Sequence, residues 1–187
     1  MPIEVLATGP HASVQDLGRV GHAAWGIPGG GAADRGSLRL ANRLVGNAES
    51  AAALELLLAG ATLRFDRAAV IAVTGATCGF AVDREPGRCD GPQWVPAGAV
   101  VQFGLPVQRL RTYVAVRGGV ATEPLLGSRA TDERSGLGRA LRVGDVLPIG
   151  TDLAGPPLVD VAPVAAWPEG PVTLHGVVGP RADLFTD

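Results

Sequence analysis

The chain has 187 residues, of which 47% are hydrophobic, and this length suits one medium domain with a buried core. Its formal net charge of −2 offers no basic surface for nucleic acid or acidic lipid, and no apolar run is long enough to span a membrane. All 16 basic residues are arginine, which excludes a Walker-A lysine, a Schiff-base lysine and a biotinylated lysine from this chain.

The first predicted elements are a strand, a glycine-rich loop and a helix. Met1–Thr8 alternates loosely, which predicts a strand, and a Gly-Pro pair ends it. Glycines and polar side chains then follow one another through the loop Ser13–Asp34, which leads into one substantial helix near residues 34–46. Asp34 is the predicted N-cap, and Gly46 suits the left-handed residue that follows a helix.

The remaining predicted elements are short strands divided by glycine and proline turns. Ala51–Leu58 fits either a strand or a short helical turn. Further strands are predicted at Ala61–Phe65, Ala69–Ala76, Phe80–Asp83, Gly98–Gly104, Arg111–Gly119 and within Ala140–Gly150. This pattern favours a mainly β chain that folds as a barrel or a sandwich.

Composition suggests domain boundaries near the C-terminal end. Residues 1–154 form the predicted β domain, and the Pro-rich residues 155–170 have the character of a linker. Val172–Arg181 has the pattern of a strand but no partner strands follow it. Residues 171–187 are therefore expected to begin a second, incomplete domain.

Localisation, thiols and metal binding can be predicted from what the sequence lacks. The N-terminal segment has neither the basic start nor the apolar run of a secretory signal, so we expect a cytoplasmic protein. Cys78 and Cys89 lack metal-binding spacing and are predicted to be free thiols. His11, His22 and His175 are scattered along the chain, so no metal site is predicted.

The segment Ser13–Asn47 carries more hydrogen-bonding side chains than a structural loop needs, among them Gln15, Asp16 and Arg19. Glycines between such side chains allow a backbone to approach a small polar ligand closely. The helix start that follows presents free N–H groups, which bind anions and carboxylates. A functional loop and an elaborate structural loop are both compatible with this pattern.

Three other features could carry chemistry. Glu55 lies in an apolar run, where it is either half of a structural Glu–Arg pair or an acid–base group with a perturbed pKa. Arg117 ends a strand and points either to solvent or into a barrel mouth, where it would bind a carboxylate. The polar loop Leu125–Arg139 is either a self-contained turn network or one wall of a pocket. We expect the pocket where this loop meets Arg117 and the loop Ser13–Asp34.

Four sequence motifs resemble those of the biotin-dependent carboxyltransferase family. They are SVQDLGRVGHAAWGIPGGGAADRGSLRLANRLVGN, AALELLLAG, AVTGA and YVAVRGGVATEPLLGSRATDERSGLG. The family includes proteins named allophanate hydrolase subunit 2, KipA and the C subunit of the ATP-dependent 5-oxoprolinase. The resemblance implies a fold of two linked halves related to cyclophilin-like β-barrels, with the second barrel domain truncated in this chain.

The resemblance also selects candidate site residues, whose roles we assign on chemical grounds. Three carboxylates are the candidate catalytic groups, and these are Asp16, Asp34 and Glu55. The candidate substrate-binding residues are Gln15, Arg19, Asn42, Arg117, Ser128, Arg129, Thr131 and Asp132. Asn47 also fits a family position, and no metal ligand is implied.

Three functions follow from the resemblance. The first is a subunit of an ATP-dependent enzyme that opens a lactam, 5-oxoproline to glutamate, with ATP bound mainly by another subunit. The second is carboxyl transfer from carboxybiotin to a urea- or amide-like acceptor, with biotin supplied by another chain because this one has no lysine. The third is a KipA-like regulatory binding protein.

The implied partners are a subunit 1 or KipI-like protein and a YcsF/LamB-type subunit. We expect the chain to bind a small-molecule substrate, to be inactive alone, and to bind neither nucleic acid nor membrane.

Overall fold

The computed structural model describes residues 2–151, 153–156, 162, 170–171 and 173–184. The described residues contain nine strands and one α-helix, together with short 3-10 turns at Ala23–Trp25 and Ala182–Leu184. The strands are β1 Pro2–Thr8, β2 His11–Gln15, β3 Ala53–Leu57, β4 Ala61–Phe65, β5 Ala69–Val82, β6 Glu85–Pro86, β7 Pro92–Val95, β8 Val100–Val116 and β9 Val146–Pro148, and the helix is α1 Arg35–Leu44. The prediction of a mainly β chain with one substantial helix is confirmed.

All nine strands belong to one antiparallel sheet that curls into a half-barrel. Its main order is β2-β3-β8-β4-β1-β9, and β5 pairs with β6, β7 and β8. Strand β8 is central because it pairs with three others: Leu54 of β3 lies opposite Val114, and Leu63 of β4 lies opposite Val101. The third partner, β5, follows β8 over most of its length.

Strands β5 and β8 are longer than the sequence predicts. Each merges two predicted strands into one, because the glycines between them do not end the ladder. Gly75 adopts a positive φ of 89°, and the register shifts between Gly75 and Phe80. Such shifts are β-bulges, which bend a strand without ending it.

Two other sequence expectations are corrected or resolved at β2 and β3. Ser13 and Gln15 lie in β2, so the irregular loop begins only at Asp16. The apolar run that fitted a strand or a helical turn is a strand, Ala53–Leu57. It pairs with β2 on one side and with β8 on the other.

Helix α1 begins and ends where its capping residues predict. The Asp34 carboxylate accepts hydrogen bonds from the backbone N–H of Ser37 at 2.9 Å and from its hydroxyl at 2.6 Å. Gly46, which follows the helix, has a φ of +72°. Because Leu38, Ala41 and Leu44 recur at helical spacing, one face of the helix is buried against the sheet.

The sheet has an apolar core on each face, because successive side chains of a strand point to opposite sides. The face away from α1 holds the larger cluster, which includes Leu54, Leu56 and Val114. The other face presents small side chains to the helix, and these are Ala53, Ala72 and Ala115. Small residues here let α1 lie close to the sheet, where it packs against β5 and β8.

The C-terminal predictions are only partly within the described residues. The predicted linker 155–170 falls outside them except at Gly155, Pro156, Ala162 and Gly170. Val172, at the start of the predicted last strand, is outside as well, and residues 173–181 are described without a strand. The division into two domains therefore stays a prediction. No helix of the described part is both long and apolar enough to cross a membrane.

Candidate functional site

A cleft of about 270 Å³ lies between the segments 122–131 and 138–147, with Val14 of β2 in its wall. Its polar lining includes Glu123, Ser128, Arg129, Thr131, Arg139 and Asp145. A concave site with a few convergent polar groups is the usual form of a small-molecule site. The sequence predicted Ser128, Arg129 and Thr131 as site residues but not the other three, since Glu123 and Arg139 had only their charge to mark them.

Two arginines line the cleft, and only one of them is paired with a carboxylate. Arg139 forms a two-pronged ion pair with Asp145, at 2.7 and 2.8 Å. This hydrogen-bonded pair holds the pKa of Asp145 below its ordinary value. Arg129 instead donates from Nε to the Thr122 carbonyl at 2.7 Å, and within the described residues no carboxylate pairs with it. Arg129 therefore brings a positive charge to the cleft.

Asp16 fastens the glycine-rich loop to the wall of the cleft. Its buried carboxylate accepts three hydrogen bonds, from the Gly18 N–H, the Ser128 hydroxyl and the Arg129 N–H, each at 2.7 Å. The Ser128 hydroxyl in turn accepts the N–H of Ala130 at 3.0 Å. The two polar loops therefore meet, as predicted from the sequence, and Asp16 positions Ser128 and Arg129.

Gln15 continues this contact along the edge of β2. Its amide Nε2 donates to the Ser13 hydroxyl and to the Thr131 carbonyl, both at 3.1 Å. The Thr131 N–H donates to the carbonyl of Val14 at 2.9 Å. Residues 129–131 thus run beside β2 much as another strand would.

The glycine-rich loop folds back on itself, so that two backbone segments touch. Arg19 donates its N–H to the Gly29 carbonyl at 2.7 Å, and Ala32 donates to the Asp16 carbonyl at 2.9 Å. A Cβ on Gly31 would lie only 2.7 Å from the backbone nitrogen of Gly18. The glycines are therefore required by close backbone packing, and Arg19 is enclosed by the fold, with a side chain that donates to the Ala130 carbonyl.

Glu55 joins the sheet to the start of α1. One carboxylate oxygen pairs with Arg111 at 2.5 Å, and the other accepts the Tyr113 hydroxyl at 2.7 Å and the Ala33 N–H at 3.0 Å. The Tyr113 oxygen also accepts the N–H of Asp34 at 2.7 Å. Burial raises the pKa of Tyr113, and the nearby carboxylates add to the shift, so the hydroxyl remains a donor. The predicted Glu–Arg pair is present, and we define these residues as the Glu55 network.

Asp34 and Asn42 hold the two ends of the helix region. Asp34 is the N-cap described above. Asn42 lies buried on the sheet-facing side of α1 and donates to the Ala51 carbonyl at 2.7 Å. Asn47 donates to the Asn42 side-chain oxygen at 3.0 Å and to the Val116 carbonyl at 2.8 Å. The structure gives these amides partners within the protein and does not place them in the lining of the cleft.

Arg117 does not reach the cleft. Its Nη1 donates to the Val45 carbonyl at 2.7 Å and to the Gly155 carbonyl at 3.0 Å, at the C-terminal end of α1. A guanidinium there satisfies the Val45 carbonyl at the helix end and complements the helix dipole. The expected meeting of Arg117 with the two polar loops is therefore corrected, because its strand directs it to the other end of the helix.

Arg117→Ala is expected to lower the free energy of unfolding by about 1–2 kcal/mol, because the helix end loses one hydrogen bond and a favourable charge, and the Gly155 carbonyl loses its hydrogen bond as well. Thermal unfolding measures the change, and the exposed Arg67→Ala serves as a control with no such contacts. Substrate KM in an assembled enzyme should stay the same. A tenfold rise in KM with unchanged stability would instead make Arg117 a ligand-binding residue.

Asp132 belongs to a turn of its own. Its carboxylate accepts bonds from the Ser135 N–H at 3.3 Å and from the Ser135 hydroxyl at 2.8 Å. The bond from the hydroxyl is the main cause of a lowered pKa for Asp132, to which the charge of Arg19 also contributes. For this residue the self-contained turn network describes the structure.

Cys78 and Cys89 are free thiols that lie next to one another. The Cys89 thiol donates to the Cys78 carbonyl at 3.4 Å. Burial, and then the neighbouring Cys78, raise the pKa of Cys89 to about 11.

We expect Cys89 to react with iodoacetamide at pH 8 about 100-fold or more slowly than a free thiol does, because only about one in a thousand molecules carries the thiolate. Mass spectrometry of timed reactions measures the rate, with urea-unfolded protein as the control. Equal rates for folded and unfolded protein would contradict a half-buried, protonated Cys89 thiol.

A family model described as "Carboxyltransferase domain, subdomain A and B" matches residues 25–187. The chain is 37% identical over 158 residues to the 5-oxoprolinase C subunit of Escherichia coli (strain K12), which is 79% of this chain and 49% of that protein. It is 34% identical over 166 residues to the 5-oxoprolinase C subunit of Haemophilus influenzae, covering 87% of this chain and 54% of that one. The chain thus spans about half the length of these relatives.

Urea amidolyase of Saccharomyces cerevisiae is 37% identical over 150 residues, which is 78% of this chain but 8% of that protein. Among solved structures, the urea amidolyase of Kluyveromyces lactis superposes with a TM-score of 0.79 at 36% identity, covering 86% of this chain and 10% of that chain. The structure of TTHA0988 superposes with a TM-score of 0.76 at 33% identity, covering 92% and 63%. The half-barrel, with α1 packed on one face, is thus similar to folds seen in these structures.

Proposed function

The chain belongs to the carboxyltransferase domain family, subdomains A and B, and from that premise we propose that it is a subunit of an ATP-dependent enzyme that opens a lactam C–N bond, as 5-oxoprolinase does. The observation that carries the proposal is the similarity to the C subunit of 5-oxoprolinase from two organisms, each matched over about half its length. The urea amidolyase matches cover 8% of much larger proteins, so they relate the chain to one domain of those proteins rather than to a separate subunit.

The chemistry of lactam opening explains what such a subunit would contribute. Amide resonance makes the C–N bond stable, so the reaction needs an activated carbonyl and groups that hold the developing negative charge. The cleft offers Arg129, which has no carboxylate partner among the described residues, on a loop fixed by Asp16. A fixed positive charge in a small cleft suits a substrate with a carboxylate or an activated oxygen.

Cofactors would come mainly from other chains. ATP supplies the phosphoryl group that activates the lactam, and this sequence has no lysine for the usual phosphate-binding loops. Biotin, if the reaction used it, would be attached elsewhere for the same reason. The proposed partners are a subunit 1 or KipI-like protein and a YcsF/LamB-type subunit, and the chain alone would be inactive.

A second candidate function is carboxyl transfer to a urea- or amide-like acceptor. It is supported by the 37% identity to urea amidolyase and by the TM-score of 0.79 to the Kluyveromyces lactis protein. In that reaction Arg129 would hold the carboxyl group in transfer.

Co-expression of the full-length protein with its proposed partners tests both functions. The purified complex is supplied with ATP and either 5-oxoproline or urea, and glutamate and phosphate are measured. Glutamate formation that depends on this chain supports the first function. Carboxylation of urea in the presence of a carboxybiotin carrier, without glutamate from 5-oxoproline, would overturn it in favour of the second.

A further inference from the structure

Arg19 is a buried charge with incomplete hydrogen bonding. Its side chain belongs to a residue that is only 3% exposed, and it donates from Nη2 to the carbonyl of Ala130. The Nε and Nη1 atoms are buried and have no partner in the described part of the chain. Most buried polar groups in proteins are paired, and an unpaired buried charge is costly, so this guanidinium calls for a partner.

The nearest carboxylates do not supply that partner. The oxygens of Asp16 are engaged by Gly18, Ser128 and Arg129, as described above. Asp132 is close enough for the charge of Arg19 to help lower its pKa, after the larger effect of Ser135. However, the hydrogen bonds of the Asp132 carboxylate go to Ser135. Arg19 therefore has a buried positive charge with no hydrogen-bonded carboxylate among the described residues.

Gln15 provides a second unpaired atom, on a side chain that bonds to the same segment as Arg19. Its Oε1 is buried without a partner in the described residues, while its Nε2 bonds to the Thr131 carbonyl. Arg19 bonds to the carbonyl of Ala130, the residue immediately before Thr131. The two side chains thus bond to the carbonyls of consecutive residues, so both reach the same short segment beside β2.

The cover over Arg19 is thin and made of glycine. A Cβ on Gly30 would lie 3.2 Å from Arg19 Nη1, and Gly30 itself is exposed. Gly30 and Gly31 both adopt positive φ, of 59° and 89°. Gly31 is packed against the backbone of Gly18, but a Cβ on the exposed Gly30 would meet no backbone atom within 4 Å. Movement at Gly30 alone would therefore open a path for a small molecule to the guanidinium.

We propose that Arg19 and Gln15 form a binding site for a small carboxylate beneath residues 29–31. The unpaired N–H groups of Arg19 donate to the carboxylate oxygens, and Gln15 Oε1 accepts a hydrogen bond from a neighbouring O–H or N–H of the same ligand. Two sources share this chemistry, bicarbonate with its O–H and a lactam acid such as 5-oxoproline with its N–H. The proposal deepens the proposed function and rests on it for the choice of these two compounds.

Thermal unfolding of the full chain in Tris–chloride at constant ionic strength tests the site without any turnover. We expect either bicarbonate or 5-oxoproline, at about ten times its Kd, to raise Tm by several degrees. The lactam 2-pyrrolidinone has the same ring without a carboxylate and should have no effect. The ligand that raises Tm identifies the source of the carboxylate.

The variant Arg19→Met distinguishes a ligand-binding role of Arg19 from a structural one. Without ligand, the variant should be as stable as the wild type or more so, because an unpaired buried charge is removed, and it should show no rise of Tm with ligand. Arg67→Met, at an exposed position, should respond as the wild type does. Arg19→Lys keeps the charge and should retain only part of the response.

Two results would overturn the proposal. One is a wild-type Tm that neither bicarbonate nor 5-oxoproline changes at ~50 mM or below, a limit on the order of the weakest millimolar affinities considered specific. The other is Arg19→Met that lowers Tm equally with and without ligand, as loss of a structural hydrogen bond would. Because the measurement is of binding, a complex that fails to turn over 5-oxoproline leaves the result intact.

Discussion

Glu55→Leu should lower the free energy of unfolding by about 2–4 kcal/mol, measured by urea titration of the full chain. The substitution leaves Arg111, the Tyr113 hydroxyl and the Ala33 N–H without their acceptor. The loss in the free energy of unfolding should stay below the largest values found when one partner of a buried ion pair is removed, because the Arg111 side chain is 36% exposed and can turn toward water. The helix start should loosen first, since it is joined to the sheet through this network.

Glu4→Leu is the matched control for this prediction. Glu4 pairs with Arg64 across neighbouring strands, but both side chains are partly exposed, so its loss should cost less than about 1 kcal/mol. The double variant Glu55→Leu with Arg111→Leu should recover part of the stability, because no charge is then left unpaired. Equal losses for Glu4→Leu and Glu55→Leu would contradict the role given to the Glu55 network.

Asp16→Asn should reduce turnover of the assembled enzyme at least tenfold, which corresponds to about 1.4 kcal/mol. It should also lower the free energy of unfolding by about 1–3 kcal/mol. In either orientation of the new amide, its NH2 group faces a donor, either the Arg129 N–H or those of Gly18 and Ser128. The segment that carries Ser128 and Arg129 is then no longer fixed against β2.

Two further variants serve as controls for Asp16→Asn. Ser128→Ala removes only one of the three hydrogen bonds and should have an intermediate effect on stability. Asp66→Asn alters an exposed carboxylate and should change neither quantity. If Asp16→Asn left kinetics and stability as they are in the wild type, the loop contact would have no part in shaping the cleft.

The parts of the fold that depend on residues close together in the sequence could be predicted. Asp34 and Gly46 mark the helix because capping is a local effect of side-chain oxygen and positive φ. The lengths of β5 and β8 could not be predicted. A glycine in an apolar run usually marks the end of a strand, whereas Gly75 forms a bulge within β5. Whether a glycine bends or ends a strand depends on the partner strand, which local sequence does not specify.

The site was predictable only where polar motifs marked both partners of a contact. The contact of Asp16 with Ser128 joins two motifs that both looked functional, and their meeting was expected. Arg111 and Tyr113 were missed because their role depends on β8 lying beside β3, which puts Tyr113 opposite Glu55. Arg117 shows the converse, because a plausible charge at a strand end bonds to the helix-end carbonyl of Val45, 72 residues away, and to the carbonyl of Gly155, 38 residues away.

The central position of β8 has a consequence for the order of events during protein synthesis. Before β8 is made, the earlier strands can form only separate ladders, β1 with β4, β2 with β3, and β5 with β6 and β7. These three pieces become one sheet through β8, which ends at Val116. A chain emerging from the ribosome therefore keeps the apolar faces of these pieces incompletely covered until Val116 has been made. Nascent-chain chaperones would have their longest access to the protein in that interval.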